Sequence, residues 1–122
     1  MLASKNGHEV MSASRKPPHG ASWLSFDLAS RDPVVFPPGT NVVIHLAADT
    51  TSVAIEDSDY ELLAARLVIV VAQKVAAKVV FISSQVARPD SPTAYGRAKW
   101  RIEQVIISRW LGRAAWARVW RL

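Results

Sequence analysis

The chain has 122 residues, a net charge of +5 and no cysteine. That length holds at most one domain with a useful core, and the lack of cysteine excludes disulfides, thiolate metal ligands and a cysteine nucleophile while fitting a cytoplasmic protein. Half the residues are hydrophobic, which argues against disorder throughout. The most apolar run, residues 62–72, is broken by Arg66 and is shorter than the about 20 residues a membrane span needs.

In chain order, residues 1–6 read as the last turns of a helix with Gly7 as its C-cap. They lack the apolar segment of a secretion signal. A short strand is predicted over 9–14, then a loop from Arg15-Lys16-Pro17-Pro18 to Gly20, then a second short strand over 23–26 that ends at Asp27-Leu28. Asp32-Pro33 and Pro37-Pro38-Gly39 mark turns. Residues 41–48, with Val42-Val43-Ile44-His45-Leu46-Ala47-Ala48, predict a buried strand in which His45 reads as a core histidine rather than a ligand.

Ser58-Asp59-Tyr60-Glu61 forms a capping box that opens a helix to about Lys74, apolar nearly all round and so expected against a sheet. Val79-Val80-Phe81-Ile82-Ser83 is the next strand, closing on Ser83-Ser84. Pro89 and Pro92 break the following loop. A helix then runs from Tyr95 to about Leu111 with Ala98, Ile102, Val105 and Ile106 on its inner face, and a last strand is expected over 115–121. Strands alternating with helices predict an α/β fold with a parallel, doubly wound sheet. Such sheets bind ligands at the carboxyl ends of their strands, where Arg15, Asp27, Ala47 and Ser84 fall.

Tyr95 and Lys99, four apart, share one helix face, and a serine at the end of the preceding strand can reach it. A phenol alone is a weak base at neutral pH, and an adjacent ammonium favours its charged form. Lys99 can supply that charge, Ser84 can hold a substrate oxygen, and Tyr95 can act as general acid/base. By itself the Tyr-x-x-x-Lys spacing also describes an ordinary amphipathic pair at a helix start.

The ordered set Gly7-His8-Glu9-Val10, Phe26-Asp27-Leu28, residues 42–48 and Ser84, Tyr95 and Lys99 resembles the short-chain dehydrogenase/reductase superfamily. Within it the chain looks most like the extended NAD(P)-dependent epimerase/dehydratase family, over nearly its whole length. The resemblance implies a Rossmann-like sheet and hydride transfer on a hydroxyl or carbonyl substrate, of which a sugar nucleotide is one type. Catalysis would rest on Ser84, Tyr95 and Lys99. The cofactor would meet Asp27 and Leu28 beside the adenine, Ala47 and Ala48 at the strand end, and Ser83 and Lys99. Where many NAD users carry an acidic residue, Arg15 and Lys16 stand instead, which implies NADP, held by its 2′-phosphate, over NAD. A solvated basic turn is the other reading of that pair.

The chain departs from the family in several places. The five glycines, at 7, 20, 39, 96 and 112, do not form the glycine-rich pyrophosphate turn. By resemblance the first strand and that turn are missing, as is the substrate-binding region after the last strand, so residues 1–122 read as an incomplete domain and an inactive or impaired fragment. Glu61 stands near a position where the family often has asparagine, and Ser84 precedes Tyr95 by only eleven positions.

Two other classes of function remain open. A non-catalytic Rossmann-like module could bind a dinucleotide or a protein. A nucleic-acid binder is disfavoured, because Arg97, Lys99, Arg101 and Arg109 read better as a solvated helix face. His8, His19 and His45 show no metal-site spacing. Trp100, Trp110, Trp116 and Trp120, crowded into the last quarter, predict self-association where partner strands are missing.

Overall fold

The computed structural model describes residues 7–16, 22–30, 32, 34–46, 48, 60–110 and 117–122. Two short strands, β1 (Ser12–Ser14) and β2 (Trp23–Ser25), pair in parallel with Ser12 opposite Trp23. The Trp23 indole N–H donates to the Ser14 backbone oxygen and hydroxyl at 3.2 and 3.0 Å, tying the two strands together at their ends. The expected first strand is shorter than the stretch 9–14, because only residues 12–14 find a ladder partner.

The larger sheet is also parallel, in the order β3 (Val42–His45), β4 (Lys78–Ser83), β5 (Ala117–Arg121). Its register sets His45 opposite Phe81 and Phe81 opposite Val119. β3 is entered by a tight turn in which the Thr40 N–H bonds the Pro37 carbonyl at 3.2 Å. Gly39 there takes φ 85°, the left-handed value that position i+2 of a type II turn requires.

Helix α1 (Tyr60–Lys74) joins β3 to β4, and helix α2 (Ala94–Trp110) joins β4 to β5. Thr93 caps α2, its hydroxyl accepting the Gly96 N–H at 3.1 Å. Along β4 the side chains alternate, so Val79, Phe81 and Ser83 are buried on one face. Ala65, Ile69 and Ala72 of α1 and Ile102 and Ile106 of α2 close over Val79 and Phe81 as a single core, with Phe81 fully enclosed.

A doubly wound sheet would carry helices on both faces. Among the described residues, both helices lie on one face of the three-stranded sheet, and Val42, Ile44 and Trp120 on the other face are exposed. The expected helix end before Gly7, the capping residues Ser58 and Asp59, Leu111, Ala115 and the side chains of Trp110 and Trp116 lie outside the described residues, although Gly7 takes the left-handed φ of a C-cap at 84°.

α1 ends in a double turn. The Ala77 N–H reaches back to the Ala72 carbonyl at 2.9 Å and the Ala76 N–H to that of Gln73 at 3.1 Å. This is the Schellman pattern, in which glycine normally takes the left-handed position. Here Ala76 occupies it at φ 57°. A Cβ in that conformation costs about 1–2 kcal/mol, part of which glycine gives back through its freer unfolded chain. Ala76→Gly is therefore expected to stabilise the chain by about 0.5 kcal/mol, read as a raised urea midpoint at unchanged slope.

Candidate functional site

Tyr95, Lys99 and Glu103 follow one another at four-residue spacing along the face of α2 turned to the sheet. Lys99 is 2% exposed. Its Nζ donates to the Ile82 carbonyl at 3.0 Å, lies 4.6 Å from the Phe81 ring centre and 5.7 Å from the Tyr95 ring centre. Two ring faces and a strand carbonyl thus replace most of the water an ammonium would otherwise keep. Burial lowers the Lys99 pKa, and the negative charge of Glu61, itself buried in the first turn of α1, opposes that shift.

The reading of the basic residues of α2 as a solvated face is corrected here. Lys99 is turned to β4, where its Nζ bonds the Ile82 carbonyl, and Arg97 and Arg101 are half-buried. Glu61, in the first turn of α1, places a carboxylate near Lys99.

His45, the last residue of β3, stacks on Phe81 with ring centres 5.7 Å apart and meets Phe26 edge-on at 6.2 Å. The second contact sets the carboxyl end of β2 beside that of β3. The imidazole is 6% exposed and its Nε2 has no hydrogen-bond partner. Burial, with Lys99 nearby, lowers its pKa from 6.5 to about 4, so it is neutral at pH 7, as a core histidine should be.

The two serines differ. The Ser83 side chain is enclosed, and its Oγ has no hydrogen-bond partner. Ser84 is half-buried, one residue past β4, and its Oγ accepts the Val86 N–H at 3.3 Å. That leaves its own O–H free to donate to an incoming oxygen. Ser84 and the Lys99 ammonium thus both lie toward the carboxyl end of β4, and the Tyr95 ring lies against the Lys99 ammonium.

The other expected contacts lie on the carboxyl ends of β1, β2 and β3. Arg15 and Lys16 are exposed just after β1, in a turn where the Ser14 hydroxyl donates to the Lys16 carbonyl at 2.6 Å. Two exposed cations suit a phosphate. The Asp27 carboxylate is engaged locally, accepting the Ala29 N–H at 2.9 Å. Leu28 and Ala48 are half-buried, and Ala47 lies outside the described residues.

Sequence reasoning did not single out Gly96, Glu103 or Arg121. A Cβ on Gly96 would run into the Ser91 side chain and would sit 2.5 Å from the Val86 carbonyl oxygen, so a hydrogen there lets the first turn of α2 close on the loop after β4. Glu103 is enclosed and accepts two guanidinium hydrogen bonds from Arg121, at 2.7 and 3.0 Å. The available signal was the position of Glu103, four residues beyond Lys99 on the same stripe.

Comparisons with protein-family models, with curated proteins and with solved structures found no match. Among the described residues no cluster of three or more His, Cys, Asp or Glu is arranged to hold a metal ion, and no helix is long and apolar enough to cross a membrane.

The buried imidazole gives a pH test. Unfolded, His45 takes a proton near pH 6.5; folded, it does so only near pH 4. Between those values the unfolded chain binds more protons, so stability rises with pH across that window and falls on acidification. The shift corresponds to about 3 kcal/mol. His45→Phe, which keeps a ring and removes the titrating group, is expected to remove that part of the slope when urea unfolding is followed from pH 4 to 6.5.

Proposed function

We propose that the chain is an NADP-linked epimerase, dehydratase or reductase built on a partial Rossmann-like sheet. Its substrate would be a hydroxyl- or carbonyl-bearing small molecule, with a sugar nucleotide as one candidate. The observation that carries the reading is the ammonium of Lys99 buried under the Tyr95 ring at the carboxyl end of β4. Burial keeps water from screening an ammonium, so its field at a neighbouring ring is stronger than it would be at the surface.

In this reading Tyr95 moves a proton to or from the substrate oxygen. Lys99, anchored by the Ile82 carbonyl, sets a positive charge against the face of the Tyr95 ring. The free O–H of Ser84 donates to the substrate oxygen and steadies its charge in the transition state. Arg15 and Lys16 hold the 2′-phosphate of the dinucleotide, with Leu28 and Ala48 as apolar walls. When bound, the nicotinamide supplies the hydride chemistry.

A second reading has support of its own. Lys99 is so enclosed, and already bonded to a strand carbonyl, that it also fits a purely structural ammonium in a non-catalytic binding module.

A thermal melt with excess NADPH or NADH separates the two. At a hundredfold excess over Kd, a ligand selective for the folded state stabilises it by about 2.7 kcal/mol. The enzyme reading expects a larger midpoint shift with NADPH than with NADH, lost in Arg15→Ala/Lys16→Ala. It also expects Tyr95→Phe to retain the shift while turnover of a sugar nucleotide drops at least about 100-fold. No shift with either dinucleotide would leave the protein-binding module as the better reading, and equal shifts would remove the preference for NADP.

A further inference from the structure

We propose that Glu103 and Arg121 are positioning residues that fix the turn carrying Ser84 against the helix carrying Tyr95. The inference rests on the enzyme reading above for the role of Ser84, and on geometry alone for the clasp itself.

The Glu103 side chain is 3% exposed, yet it carries a carboxylate on the sheet-facing stripe of α2. Both its oxygens are taken by one guanidinium, Arg121 Nη2 at 2.7 Å and Nε at 3.0 Å. This fork-on-carboxylate geometry is the most directional form of ion pair. The same Nη2 donates to the Ala87 carbonyl at 3.4 Å, so one guanidinium joins α2, the end of β5 and the far side of the turn after β4.

The turn itself closes on Ser84, with the Ala87 N–H on the Ser84 carbonyl at 3.0 Å and the Val86 N–H on the Ser84 hydroxyl. Leu122 grips the residues on either side of Ser84. Its N–H donates to the Ser83 carbonyl at 3.3 Å, and its carbonyl accepts the Gln85 N–H at 3.2 Å. Arg97 Nη1 holds the Ser91 carbonyl at 2.7 Å further along the loop. Ser84 is therefore located by bonds from β5 and α2, and the Glu103 carboxylate is the group through which Arg121 is aimed. A buried carboxylate stripped of its partner is strongly unfavourable, so the clasp has two states, made or broken, rather than a graded range.

The test uses the full chain labelled with 15N, comparing parent, Glu103→Gln, Arg121→Gln and Arg121→Lys. Amide exchange is followed at Gln85, Val86 and Ala87, with Val68 and Ile69 in α1 as the reference. Expected is at least tenfold faster exchange at the turn in Glu103→Gln and Arg121→Gln, with the α1 amides within twofold. Arg121→Lys, which keeps the charge but not the fork, is expected to recover part of the protection.

In a chain that turns over substrate, kcat is expected to fall at least tenfold with KM within twofold. Unchanged exchange at the turn would overturn the proposal. So would a uniform rise that includes α1, the mark of a pair that only stabilises the fold, or unchanged kcat in an active chain. If the parent shows neither turnover nor dinucleotide binding, it is the enzyme reading that fails, and the clasp is then decided by the exchange pattern alone.

Discussion

An ammonium inside an apolar core is the constraint around which the rest of this chain is arranged. Lys99 cannot be buried for nothing, since a desolvated charge with no partners is among the most expensive things a fold can hold. The Ile82 carbonyl, the Phe81 and Tyr95 rings and the charge of Glu61 together make it tolerable. Each of these comes from a different element. β4 gives the carbonyl and one ring, α2 the other ring, and α1 the carboxylate. Holding that one side chain therefore fixes where both helices lie on the strand between them. Burial, with the nearby Lys99 charge adding to it, likewise keeps His45 neutral where it stacks on Phe81.

The alternation of strands and helices could be read from residue patterns because each element has its own periodicity. β4 shows period two from Val79 to Ser83, and α2 keeps Ile102 and Ile106 on one side as expected. The turn at Pro37-Pro38-Gly39 followed from residue chemistry alone, since only a left-handed residue fits its third place. The candidate pair Tyr95 and Lys99 was visible from spacing. That Lys99 is buried was not, because a four-residue spacing tells which face is shared and not whether water reaches it. The Glu103–Arg121 pair was hidden for a different reason. Its members come from separate elements, and charge on a helix looks the same in sequence whether it meets solvent or a guanidinium on a neighbouring strand.

Helix coverage shows a third kind of limit. Alternation predicts crossover connections but leaves open how many faces the described helices cover. In this chain α1 and α2 share one side, so the opposite side of β3 and β5 presents Ile44 and Trp120 to the surroundings. The apolar run over β3 predicted a buried strand, but only His45 is enclosed and Val43 half-buried, while Val42 and Ile44 are exposed.

The parallel register has a kinetic consequence. Every ladder in the larger sheet joins strands separated by a whole helix, β3 to β4 across α1 and β4 to β5 across α2. No two neighbouring strands can zip from a tight hairpin, so chain closure over a long loop must come before any sheet bond forms. The helices are local and fast, and the sheet is remote and slow. A newly made chain would thus pass through a stage in which α1 and α2 are formed while Phe81 and Lys99 are still in water, and its strands would be exposed to neighbouring chains for longest at that stage.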